Sequence, residues 1–174
     1  MQKYLPAFLL ILLGIASRLL PHPANFAPIA AIALFSGIYL PKKFALTIPL
    51  IAMALSDIVL GSYHWQVMVT VYIAFIFTAL IGLALKNHKR FTTVLGGTLL
   101  ASIIFFITTN TAVWAFTTMY PHSATGLGQS FLMAIPFFKN SLLGDLFYTG
   151  VLVGGMELIL NYQTNKNLKT TSVV

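Results

Sequence analysis

The sequence predicts an all-α integral membrane protein, a bundle of six transmembrane helices. Three observations carry that expectation. Of 174 residues, 58% are apolar and only 7% charged, where a soluble domain carries about 25% charged residues. The apolar residues fall into six runs, each near the roughly 20 residues that a bilayer span requires. The basic residues cluster between these runs, so the net charge of +7 has the pattern of membrane topology and not of a phosphate-binding face. No nucleic-acid partner is expected.

The runs, in order, are Tyr4–Leu20, Phe26–Leu40, Phe44–Gly61, Trp65–Leu85, Val94–Phe116 and Pro136–Leu160. They make one membrane domain over residues 1–162, followed by a polar tail over 163–174. Helix-breaking residues separate them. Pro21-His22-Pro23-Ala24-Asn25 divides the first pair, Pro41-Lys42-Lys43 the second, and Gly61-Ser62-Tyr63-His64 the third. Lys86 to Arg90 follows the fourth run. The gap from Tyr120 to about Ile135 holds Pro121, Gly126 and Gly128, and is the one loop long enough to act as a lid. The first run, with Lys3 before it and Gly14-Ile15-Ala16 near its end, has some features of a cleaved signal peptide. Retaining it keeps the helix number even, and the retained helix is the expectation.

Orientation follows from the lysines and arginines. With the N-terminus cytoplasmic, Lys3, Lys42, Lys43, Lys86, Lys89, Arg90, Lys166 and Lys169 all lie inside, eight of the ten basic residues. Tyr63, Trp65 and Tyr120 then mark the outer interface, and Tyr4, Tyr39 and Tyr162 the inner one. Both termini are expected in the cytoplasm.

Charge inside the bilayer is costly, about 2.5–3.5 kcal/mol per group at the least, and such groups face the bundle or a wet cavity. Arg18, Asp57, Lys139 and Asp145 are all placed in the outer half, where their charges sum to zero. They are either structural ion pairs or the rim of an outward-facing cavity, and Arg18 is expected to pair with Asp57 or Asp145. Glu157, near the inner end of the last helix, is expected to pair with a tail lysine. Helix 5 carries Thr108-Thr109-Asn110-Thr111 and then Trp114. The threonines can bond their own backbone, but Asn110 is expected to need a partner, either another helix or a ligand. Ala27/Ala31, Ala33/Gly37 and Gly150/Gly154 are small residues at four-residue spacing, suited to close helix approach inside the bundle or to docking a partner. Ile48-Pro49 leading to Asp57, and Ile135-Pro136 leading to Asp145, form a faint inverted repeat.

There are no cysteines, which excludes disulfides, thiolate metal sites and cysteine nucleophiles. Neither a glycine-rich phosphate loop nor HExxH is present. His22, His64, His88 and His122 are scattered through loops. No metal or cofactor is expected, and no base is spaced to activate a serine or threonine.

The stretch from Asn25 to Phe35, then Ser56-Asp57-Ile58-Val59-Leu60-Gly61, Asn110 to Trp114, Tyr120-Pro121, Gly126-Leu127, Ile135 to Asn140 and Gly144-Asp145 resembles a family of uncharacterised bacterial six-helix membrane proteins. That family in turn is similar to the substrate-binding S components of energy-coupling-factor (ECF) vitamin transporters. The resemblance implies a non-enzymatic binding protein of the bacterial inner membrane. It would capture a small vitamin-like solute on the outer face, with a membrane coupling subunit and ATPases as partners. Arg18, Asn25, Asp57, Asn110, Trp114, Lys139 and Asp145 are the expected substrate-binding residues. S components dock their coupling subunit through an AxxxA face on helix 1. Here helix 1 offers Ala7, Gly14 and Ala16 without that spacing, so Ala27, Ala31, Ala33 and Gly37 are the expected docking residues. The alternative expectation is a non-catalytic structural or assembly protein of the envelope, in which the same charges only lock the bundle.

Overall fold

The computed structural model describes residues 5–171, with side chains from Phe8 to Asn165. Among these residues there are six helices and no strand: α1 (Leu5–Leu19), α2 (Ile29–Tyr39), α3 (Lys42–Leu60), α4 (Trp65–Leu85), α5 (Phe91–Phe116) and α6 (Ala124–Thr171). α3, α4, α5 and α6 are long and apolar enough to cross a membrane, while α1 and α2 are shorter apolar helices. The side chains of Lys3, Tyr4, Ala7, Lys166 and Lys169 lie outside the described residues.

α2 is the axis of the fold. It touches all five other helices, and every residue from Ala31 to Ile38 is buried. A helix that is apolar on every side is stable only when it is enclosed on every side. Ile32, Leu34, Phe35 and Ile38 form the main core with Leu10 of α1, Ile48 of α3, Val94 of α5 and Val153 of α6. This corrects the expected docking face: Ala31, Ala33 and Gly37 are inside the bundle, and Ala27 is half-buried beside a cavity. Gly37 lies so close to α4 that a Cβ on it would press on the Ala79 carbonyl oxygen and come 2.7 Å from the Leu83 nitrogen. A Cβ on Gly82 would press in the same way on the Leu34 carbonyl oxygen. The small residues serve this internal crossing.

Outside, the pattern inverts. Val69, Ile73, Phe77 and Leu80 of α4 are exposed at helical spacing, as are Leu95, Leu99, Ile103 and Ile107 of α5. In water such stripes would drive aggregation; in lipid they are the natural surface.

Side chains identify the two ends of the bundle. Lys86 Nζ donates to the Leu40 carbonyl at 3.5 Å, and Lys89 Nζ sits 4.5 Å from the Tyr39 ring centre. Tyr39 also donates to Glu157 Oε1 at 2.5 Å. The two basic loops and the far part of α6 therefore share one end, called here the basic end. Glu157 thus has a tyrosine on α2 as one partner, and the tail lysines expected to pair with it lie outside the described side chains.

α6 departs most from expectation. It has 48 residues, about 72 Å at 1.5 Å per residue, against roughly 30 Å of bilayer hydrocarbon. The anticipated lid over 120–135 is helical from Ala124 onward, leaving a corner of residues 117–123, and the anticipated tail is helical to Thr171. Gly126 acts here as a spacer. A Cβ on it would strike the Pro121 carbonyl oxygen, so glycine lets the corner fold back tightly on the helix start. Pro136 lies inside α6 and Pro49 inside α3, as membrane helices tolerate.

Candidate functional site

The site forms at the end opposite the basic one, and α2's shortness makes room for it. Eleven residues span only about 16 Å, and the longer neighbours continue past its start at Ile29. The chain enters α2 through residues 20–28, of which 20–25 are exposed and Phe26, Ala27 and Pro28 tuck into the bundle. Phe26 packs on Phe147 and Tyr148 of α6, with ring centres 6.2 and 5.6 Å apart. Gly144 admits this approach, since a Cβ there would already be 3.3 Å from the Phe26 Cα. Asn25 has φ 62°, a left-handed conformation that Asn tolerates better than most residues.

Arg18, in the last turn of α1, crosses to α3. Its Nη1 lies 2.7 Å from Asp57 Oδ1 and donates to the Met53 carbonyl at 3.2 Å and to the Ser56 hydroxyl. Asp57 Oδ2 accepts from the Tyr72 hydroxyl at 2.8 Å, so the ion pair joins α1, α3 and α4. Of the two carboxylates within expectation, Asp57 holds the arginine. Nearby, burial and the Asp57 charge raise the pKa of the Tyr63 phenol, against a smaller opposing effect of Arg18.

Asp145 of α6 is 6% exposed. Its Oδ2 accepts from Ser102 at 2.7 Å. The Ser102 oxygen is also 3.0 Å from the Thr98 carbonyl, but one hydroxyl has one proton, and the shorter contact to the carboxylate is the stronger claim on it. Ser102 is near the middle of α5, so Asp145 lies deeper than the outer-half placement expected for it. Asp57 and Asp145 do not bond to each other, and the faint repeat pairs no carboxylates.

Between these groups is a cavity of about 390 Å³, lined by Arg18, His22, Asn25, Ala27, Ile29, Ala30, Met53, Leu60, Tyr63, Val71, Phe75, Phe105, Ser141 and Asp145. A smaller one, about 120 Å³, is lined by Asn110, Thr109, Phe106 and Phe138 among others, and shares Asn25, Phe105 and Ser141 with the first. Arg18, Asn25 and Asp145 thus meet at one cavity, with Asp57 behind Arg18 as its anchor, and Asn110 borders the neighbouring space. Contrary to expectation, Asn110 places one amide N–H on its own helix: Nδ2 donates to the Phe106 carbonyl, one turn back, at 2.8 Å.

The other two expected residues lie elsewhere. Trp114 Nε1 donates to the Pro121 carbonyl at 3.0 Å and its ring meets His122, which closes the α5–α6 corner. Lys139 is exposed and lines neither cavity. Sequence reading passed over Tyr72, Phe75, Ser102, Phe105 and Ser141. Ser and aromatic residues are common in membrane helices, and none of these stands out until its neighbours across the bundle are known.

Six helices and no strand among the described residues, four of the helices long and apolar enough to cross a bilayer, point to a multi-pass membrane protein with a cavity of apolar walls and a few polar groups at one end. The chain belongs to the family of unknown function DUF6580, which matches residues 1–168. No curated protein and no solved structure matches it.

Proposed function

We propose that this chain is a six-span, S-component-like solute-binding protein of the bacterial inner membrane that takes up a small, vitamin-like micronutrient. The cavity carries the reading. Its 390 Å³ falls within the range of small-molecule sites, about 300–1,000 Å³, which combine apolar walls with a few convergent polar groups. Here the walls are Met53, Val71, Phe75 and Phe105, and the polar groups are Arg18, Asn25, Ser141 and Asp145. An envelope scaffold would gain nothing from leaving such a space unfilled. The role is binding without catalysis, and both termini lie in the cytoplasm, so that the cavity opens outward. Energy would come from a membrane coupling subunit with ATPases. The small residues of α2 are committed to internal packing, so that subunit would meet the bundle on another face.

The test compares folding with binding. Asn110→Leu and Asp145→Asn are expected to leave a folded protein, since single polar contacts in membrane bundles average about 0.6 kcal/mol, yet to abolish uptake. The readouts are thermal stability in detergent, mass spectrometry of solute extracted from the purified protein, and cellular uptake of that solute. If both variants unfold and the parent yields no solute, the scaffold is the better reading.

A further inference from the structure

We infer that the solute is a small organic cation whose protonated nitrogen binds Asp145. This rests on the solute-binding reading above and names the class of solute. The first observation is a charge left over. Arg18 and Asp57 neutralise each other at 2.7 Å. Lys139, which would have balanced Asp145, is exposed and away from the cavity. Among the described residues no Lys, Arg or His nitrogen comes within 4.0 Å of Asp145. Counted formally, Arg18, Asp57 and Asp145 leave the cavity and its anchor with one carboxylate in excess.

The second observation is an unused acceptor. Asp145 is nine-tenths buried and lines the cavity. Ser102 occupies Oδ2, while Oδ1 accepts from no described residue. A carboxylate this buried is costly without an opposite charge, and an N–H of a charged amine is the group that supplies both charge and hydrogen bond.

The third observation is the wall beside it. Phe75 and Phe105, both lining the cavity, pack together with ring centres 5.2 Å apart and planes tilted by 38°. Aromatic faces attract cations, and two together offer a surface for the organic part of the ligand. The volume excludes a bare metal ion as a filling occupant: about 390 Å³ is many times the ~30 Å³ share of one water. Arg18 Nε and Nη2, which donate to no described residue, remain to hold a polar group at the far side.

The experiment uses the full chain in lipid nanodiscs at pH 7 and three probes of similar size: 2-phenylethylammonium, 2-phenylethanol and 3-phenylpropionate. Dissociation constants are read by calorimetry. The ammonium is expected to bind at least about tenfold tighter than the alcohol, the order given by a charge-assisted hydrogen bond, with the propionate weakest. Asp145→Asn is expected to bring the ammonium and the alcohol to parity. The ranking on the wild-type protein needs no variant, so a misfolded Asp145→Asn leaves the test intact. Equal binding of ammonium and alcohol, or an unchanged preference in folded Asp145→Asn, overturns the inference. Tightest binding by the propionate overturns it and leaves the solute-binding reading standing. No binding by any probe, with no solute extractable from the protein, overturns both.

Discussion

At the scale of the residue, Arg18 and Asp57 stabilise the bundle only as a pair. Their side chains are 17% and 9% exposed, so removing one leaves the other charged, enclosed and short of partners. Arg18→Met alone is expected to cost about 3–5 kcal/mol, whereas Arg18→Met with Asp57→Leu is expected to recover most of that loss, because apolar replacements often equal a buried ion pair. Unfolding of both variants in mixed detergent measures this, and a double variant as unstable as Arg18→Met would contradict it. The pair was legible in the sequence because charges are so few that each must find another. Asp145 was legible as buried, but its partner was not. Ser102 is one hydroxyl among many, and hydroxyls in helices bond their own backbone, as Thr108 and Thr109 do. Asn110 misled for a related reason: its amide reaches the backbone one turn back, a geometry that the residue type does not announce.

At the scale of the element, one close crossing sets how tightly α2 sits in its cage. Gly37 and Gly82 face each other's backbones across α2 and α4, with 3.1 Å from a Cβ on Gly82 to the Gly37 Cα. Backbone cannot rotate aside as a side chain can. Gly37→Ala is therefore expected to destabilise by about 1–3 kcal/mol, the usual cost of overpacking. Gly96→Ala on α5 meets nothing within 4 Å and is expected to be neutral or to stabilise by up to about 1 kcal/mol through helix propensity. Thermal stability of the two variants in one detergent checks the contrast, and equal effects would mean that the crossing is not rigid. Element positions were legible wherever apolar runs met a charged or proline break, as at Pro41 and Lys86. They failed at α6. Gly126, Gly128 and Pro136 have loop chemistry, but here Gly126 serves a close contact and Pro136 sits within a continuing helix. Sequence patterning also gave no sign that α2 is central. Apolar residues are equally at home against lipid and against other helices, so hydropathy cannot separate the two.

At the scale of the whole molecule, charge is segregated between ends. Lys42, Lys43, Lys86, Lys89 and Arg90 are all exposed, and the contacts of Lys86 with Leu40 and of Lys89 with Tyr39 hold their two loops side by side. At the cavity end the one arginine is spent on Asp57. Loops rich in Lys and Arg stay on the cytoplasmic side during insertion, so this asymmetry supports a cavity that faces outward. The absence of cysteine makes the orientation directly testable, because a single introduced thiol is then the unique site of labelling. Ser62→Cys and Ser123→Cys, in exposed loops at the cavity end, are expected to react with a membrane-impermeant maleimide on intact cells. Asn87→Cys, between the basic residues of the α4–α5 loop, is expected to react only after permeabilisation. All three positions are exposed, but Ser62 adjoins Tyr63 of the cavity lining and the Ser123 hydroxyl accepts from the Gly126 N–H at the start of α6, so thermal stability of each variant is read beside its labelling. The opposite labelling pattern would turn the cavity toward the cytoplasm, and capture of an external solute would fall with it.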